Sequence, residues 1–491
     1  MQVSFDNSYI NLPEHFYQKV LPSPVTNPQL IKFNYALANE LGLQFTSEDN
    51  LAEIFSGNKI LNGSEPIAMA YAGHQFGHFV PQLGDGRAIL LGEVIDINQK
   101  RKDIQLKGSG QTAFSRRGDG RAWLGPVLRE HVVSEAMHSL GVPTTRALAA
   151  VGTGEKVYRE QGALPGAIIT RVASSHIRIG TFEYFFARKD FEALETLLNY
   201  VIARHYPELE NSENKALDFL QALAKRQADL IIKWLSLGFV HGVMNTDNCS
   251  ISGETIDYGP CAFMDSYDPN TVFSSIDHQG RYAYQNQVNI CLWNISCLAS
   301  TLLQMIDKDE KLAIEKCNGV FAFYKKYFDD NYTKVFLNKI GIFEIHEEDF
   351  VLVQDLLEMM FRLKADFSLS FRYLAKVLNS DEQSFVGLFE NYHANKQIID
   401  IWLDRWRQRL AQQSLSIEEI IAKMNLINPA YIPRNHLVEE MISKAYLEND
   451  FSVMNDLLEC FKNPFQEQEC FSHFMQAVDS KTNNYVTFCG T

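Results

Sequence analysis

Between Phe239 and Pro260 the chain reads FVHGVMNTDNCSISGETIDYGP. An acid and an amide stand side by side, Asp247 and Asn248, and a second acid, Asp257, follows ten residues after the first, across a turn at Ser252-Gly253. Hard oxygen donors in that arrangement suit Mg²⁺ beside a polyphosphate, because the ion takes one or two carboxylates and leaves its other positions to phosphate and water. Asn, Asp and Gly are also ordinary turn residues, so this stretch alone does not decide the matter. The residues upstream do more. A strand-like run, DIQLKGSG (103–110), ends in Lys107 and a glycine-rich loop, and a helical pattern after it carries Glu130 and Glu135.

In protein kinases a strand lysine pairs with a helix glutamate, an amide in H-R-D-x-x-x-x-N holds metal, and so does the acid of D-F-G. Laid on that template, Lys107, Glu130, Asn248 and Asp257 fall in the right order. The kinase base position, five residues before the amide, is Val243 here, and valine accepts no proton. An acid stands next to the amide instead, at Asp247. The chain keeps a kinase-type metal site and moves its base.

These residues need a framework. PQLGDGRAILLGEV (81–94) places two apolar runs around Gly84-Asp85-Gly86, which predicts a hairpin there and a loop whose amides and Arg87 reach a phosphate. GDGRA recurs at 118–122, bringing Asp119 and Gly120, and leads into a helix with Pro126 near its start and Gly141 at its end. In ALPGAIITRVASSHIRIGTFEYF (163–185) a strand ends at Arg171, and Arg178 follows seven residues on; two such forks can converge on one anion, although each can equally be a solvated surface charge. Residues 215–237 form an amphipathic helix that delivers the chain to Phe239, and Val288 to Ile306 reads as a central helix. Leu30 to Leu41 also reads as helical, stopped by Gly42. In AYAGHQFGHF (70–79), His74 and His78 are four apart, as a metal pair on a helix would be. Gly73 and Gly77 speak against a helix, so a structural or hydrogen-bonding role is expected for both histidines.

With 491 residues the chain has room for two or three packed units. The predicted class is α+β, bilobal and protein-kinase-like. An entry segment (1–65) precedes a mixed α/β nucleotide-binding lobe (66–185), a C-lobe core with the catalytic and metal loops (186–306), and a helical extension (307–491). The net charge of −15 disfavours a dedicated nucleic-acid or anionic-membrane binder. No run of 18 uninterrupted apolar residues predicts a membrane span, and the start lacks a basic-then-apolar leader pattern, so a cytoplasmic protein is expected. Eight cysteines without a C-x-x-C predict neither a zinc site nor a disulfide framework.

The strings GHQFGHF, LGDGRA, QLKGSGQTAFSRRGDGRA, HGVMNTDN and DYGP resemble the selenoprotein O family of kinase-fold proteins, over nearly the whole length. The resemblance implies transfer of AMP from ATP to a Ser, Thr or Tyr hydroxyl of a protein, with Mg²⁺, and in bacterial members UMP from UTP, favoured by Mn²⁺. It implies a nucleotide flipped relative to a kinase, so that the α-phosphate faces the hydroxyl and pyrophosphate leaves. Carried over by position, Lys107 contacts the phosphates and Glu130 orients it. Gly84, Gly86, Arg87, Asp119 and Gly120 line the nucleotide, Arg171 and Arg178 hold the terminal phosphates, Asn248 and Asp257 bind metal, and Asp247 is the base. It also implies redox control through a tail cysteine, Cys489; its partner would sit in the loop after Asp257, where Cys261 is the nearest. Two other readings stay open: a kinase-type phosphotransferase with a relocated base, and an inactive nucleotide-binding scaffold.

Overall fold

The computed structural model describes residues 2–46 and 49–477. Its first half is built on an eight-stranded sheet. The strands are β1 (Tyr17–Lys19), β2 (Gln29–Phe33), β3 (Ile67–Met69), β6 (Ala88–Ile95), β7 (Arg101–Lys107), β8 (Ala122–Trp123), β9 (Arg146–Arg159) and β10 (Gly162–Ala173). They run in the order β1-β3-β6-β7-β10-β9-β2, with β8 on β10, and every pairing is antiparallel. The first 33 residues thus supply both edges.

Alternation along a strand sends neighbours to opposite faces, and the sheet is buried on both. Ala150 of β9 and Ile169 of β10 face the helix Leu124–Ser139 with Leu128, Val132 and Met137. Ala149 and Ile168, one residue away, face Phe33, Leu37 and Phe55 from the N-terminal segment. The helix expected over Leu30 to Leu41 is therefore half strand. Residues 29–33 pair with β9, the Asn34 side chain then accepts from Leu37 N, and the helix is only Tyr35–Glu40. Edge pairing overrides the helical spacing there, as tertiary contacts override propensity. Gly42 does end it, at φ 70°.

The Gly84-Asp85-Gly86 segment is not a hairpin turn; it runs irregularly into β6. A β-carbon at Gly84 would lie 2.3 Å from the Phe114 ring and one at Gly86 2.8 Å from the Phe114 carbonyl oxygen, so this loop is pressed on the 111–118 loop. The hairpin lies just upstream, β4 (Gly73–Gln75) with β5 (His78–Val80), turning at Phe76 and Gly77. Both turn residues have positive φ, 50° and 83°, the geometry a two-residue hairpin prefers.

The second half is mostly helical. Lys215–Ser236 packs on Gln287–Ile306 and on Glu310–Lys339, and further helices continue to Cys460. By length and composition the helical stretch Tyr284–Ile306 is apolar enough to cross a bilayer; here it packs among helices, with half of its most apolar window buried. β11 (Phe239–Val240) and β12 (Ala262–Phe263) form a two-stranded ladder that brackets the 241–261 loop.

Candidate active site

Between sheet and helices lies a cleft of about 1100 Å³. Gly84, Gly86 and Arg87 line it, as do Asp119 and Gly120, so both GDGRA copies face one space. Lys107, Arg171, Arg178, Asp247, Asn248 and Asp257 line it as well. Glu130 stands directly behind. Eleven of the twelve site residues predicted from sequence thus border the cleft, and the twelfth binds two of them.

The centre is Asp257. It is held at φ 62°, in the left-handed region that costs a non-glycine residue energy and often marks a functional position. Lys107 Nζ lies 2.9 Å from its Oδ1 and 2.9 Å from Oε2 of Glu130. Arg171, on the neighbouring strand β10, bonds the same two carboxylates. Arg178 Nη1 reaches Asp257 Oδ2 at 2.8 Å. Burial would raise the Asp257 carboxyl, but Arg171, Lys107 and Arg178 outweigh it and hold the group well below the usual carboxylate range. Glu130 is treated likewise, burial being outweighed by Arg171 and Lys107. The strand pairing explains the convergence: β7 ends at Lys107, and β10 beside it sends Arg171 to the same face.

Asp247 is buried on a short 3₁₀ turn, Thr246–Asn248. Burial pushes its carboxyl up to about 6, with Arg178 opposing. A carboxylate with its pKa just below neutrality suits proton abstraction. Asn248 donates from Nδ2 to the Val243 carbonyl at 3.0 Å, which leaves its amide oxygen as the donor atom for a cation. One amide oxygen and one carboxylate on the wall of an anion-sized cleft fit a hard divalent ion. His241 fastens the two loops that carry them. Its Nε2 meets the Ile256 carbonyl at 2.9 Å, its Nδ1 accepts from Val243 N at 3.4 Å, and its ring stacks on Trp234. Burial holds this imidazole neutral by lowering its pKa, which matches one donating and one accepting nitrogen.

His74 and His78 sit on opposite strands of the β4–β5 hairpin, not on a helix. His74 Nδ1 is bonded to Glu183 Oε1 at 2.6 Å. Cys297 lies close to both, and the three could surround an ion, but the Glu183 oxygens already serve His74 and Thr246. The hydrogen-bonding reading of His74 stands. Cys489 lies outside the described residues, and Cys261 is buried.

Sequence reasoning missed Asp85, Gln75 and Tyr71. Asp85 is buried, accepts from Met69 N and Gln105 Nε2, and lies 3.9 Å from Arg178. Tyr71 places its ring 4.5 Å under the Arg178 guanidinium. Asp85 and Gln75 stand inside the strings LGDGRA and GHQFGHF, polar residues set between glycines.

A family model described as protein adenylyltransferase SelO matches residues 1–462. The chain is 53% identical to a protein nucleotidyltransferase YdiU of Agrobacterium fabrum over 491 residues, all of both chains. It is 54% identical to one of Rhizobium meliloti over 99% of each chain, and 52% identical to one of Rhodopseudomonas palustris over 99% of each.

Proposed function

Since this chain belongs to the SelO family of protein nucleotidyltransferases, we propose that its cleft moves AMP from ATP, or UMP from UTP, onto Ser, Thr or Tyr hydroxyls of other proteins. The observation that carries this reading is the meeting of Lys107, Arg171 and Arg178 on Asp257, beside a separate buried acid at Asp247. Three cations at one point match a triphosphate far better than a single phosphate ester. We read the whole as a kinase-like arrangement: a strand lysine on a helix glutamate above, and metal-binding loops below.

Asn248 and Asp257 would hold the divalent ion, Mg²⁺ or Mn²⁺, which would supply charge neutralisation at the phosphates. Lys107, oriented by Glu130, and the two arginines take the phosphate oxygens, so the leaving pyrophosphate departs against positive charge. Asp247 takes the hydroxyl proton as the substrate oxygen attacks the α-phosphorus. The new bond is O–Pα, the broken one joins the α-phosphorus to the bridging oxygen, and pyrophosphate carries away the electron pair. Val243 stands where a kinase base would be, which argues against γ-phosphate transfer.

The test is incubation of purified protein with Mg²⁺ and ATP labelled at the α- or the γ-phosphate, beside Asp257→Ala. Covalent label from α-ATP alone, lost in the variant, is the expected result. Label from γ-ATP alone would make the protein a kinase with a relocated base. Nucleotide binding without either label would leave a scaffold.

A further inference from the structure

Beyond Tyr71 under Arg178, the AYAGHQFGHF segment has been given no role so far, yet it touches the base loop at three consecutive residues. Phe76 N donates to Asn245 Oδ1 at 3.1 Å, His74 N to Thr246 Oγ1 at 2.7 Å, and Gln75 Nε2 to Asp247 Oδ2 at 3.2 Å. Each residue from 245 to 247 therefore has one partner on the β4–β5 turn. The contacts are themselves anchored from behind. Thr246 Oγ1 donates to the buried Glu183, which also holds His74 Nδ1 at 2.6 Å. Tyr282 OH donates to Asn245 Oδ1 at 2.6 Å. A β-carbon at Gly73 would stand 2.6 Å from Asp247 Oδ1, so only glycine lets the carboxylate lie flat against this strand.

We propose that the β4–β5 hairpin is the positioning element of the base, and that Gln75 is the residue that orients the Asp247 carboxylate toward the acceptor hydroxyl. A carboxylate turns about its Cβ–Cγ bond unless something holds it. Here the Gln75 amide holds Oδ2 from the cleft side and the Gly73 backbone closes the other. Among the described residues Oδ1 is buried with no hydrogen-bond partner, and Gln75 is the side chain there that fixes the plane. Proton abstraction is sensitive to that plane, since an ångström of misplacement costs about a hundredfold in rate. This inference rests on Asp247 being the base, as proposed above.

The experiment compares Gln75→Ala and Gln75→Glu with wild type, alone and on Asp247→Ala, with α-labelled ATP and a fixed protein acceptor. Wild-type label transfer is measured first; its absence overturns the transferase reading and with it the role of Gln75. With transfer present, Gln75→Ala is expected to lower kcat about tenfold to a hundredfold while triphosphate Kd and Tm stay at wild-type values. Gln75→Glu keeps the size but not the donor, so it should not restore the rate. On Asp247→Ala, which has no carboxylate to orient, neither substitution should lower the residual rate further. Full kcat in Gln75→Ala, rescue by Glu, a loss confined to triphosphate affinity, or a loss that multiplies with Asp247→Ala would each overturn the role of Gln75 and leave the transferase reading intact.

Discussion

Arg178 is shared between the two acids of the site: Nη1 lies 2.8 Å from Oδ2 of Asp257 and donates to the backbone carbonyl of Asp247 at 2.6 Å. One guanidinium thus ties the carboxylate proposed to bind metal to the main chain of the proposed base. Lys107 and Arg171 share Oδ1 of the same carboxylate. Both oxygens of Asp257 are taken by cations, and a divalent ion must compete with them.

Metal and triphosphate binding should therefore be coupled. Phosphate oxygens offer the arginines and Lys107 another partner, which releases Asp257. Titration with Mn²⁺, followed by the free-ion resonance signal, should give an affinity about tenfold tighter or more with an α,β-methylene triphosphate analogue bound. Arg178→Ala should bind Mn²⁺ more tightly than wild type without nucleotide, and gain less from it. Equal affinity in the presence and absence of the analogue would refute the coupling.

Glu130 serves a buried arginine and a partly buried lysine, so its removal should cost stability as well as rate. Glu130→Ala leaves Lys107 and Arg171 to share Asp257 alone, a loss of about 3 kcal/mol in urea unfolding. Asn248→Ala forfeits only the hydrogen bond to Val243, about 1 kcal/mol, yet should abolish metal-dependent transfer. The pair separates the structural ion cluster from the metal site; a Glu130→Ala protein as stable as wild type would show that Asp257 alone suffices for both cations.

Most of this centre was legible because its chemistry is local in sequence. Lys107 ends a strand, Glu130 rides a helix with clear stop signals, and Asp247, Asn248 and Asp257 fall within eleven residues. Arg171 and Arg178 could be singled out but not placed: only the β7–β10 pairing brings Arg171 to Lys107, and pairing partners more than sixty residues apart leave no mark on spacing. The same limit hid the hairpin. The Asp-Gly at 85–86 carries the standard turn signal, while the true turn has Phe76 at positive φ, a residue that statistics would not choose and that its hydrogen bond to Asn245 retains. Leu30 to Leu41 misled for a related reason, since β9 claims its first half as an edge strand.

Gly73 should be among the least replaceable residues of the hairpin. Gly73→Ala would put a methyl group into van der Waals overlap with the Asp247 carboxylate. The strand carries no positive φ at this position, so the backbone itself accepts alanine and the effect isolates the contact. We expect kcat for label transfer to fall about a hundredfold, with triphosphate affinity preserved by equilibrium dialysis. Unchanged kcat would mean that the loop yields without moving the base.

Far from the cleft, Lys339 ends the helix Glu310–Lys339 almost fully buried, with its amine 4.5 Å from the Phe371 ring. Burial pushes its pKa down from 10.5 to about 7. The unfolded chain keeps the proton up to the ordinary lysine range, so between those values it binds more protons than the folded protein and stability climbs with pH. Below pH 7 both states are charged and the folded one bears the full cost of burying the cation. Lys339→Met, similar in length and apolar, should therefore stabilise the protein by about 1–3 kcal/mol at pH 6, an advantage that shrinks toward pH 10. Urea unfolding at pH 6, 8 and 10 measures it. A variant less stable than wild type at pH 6 would mean that attraction of the ammonium to the Phe371 ring outweighs its desolvation.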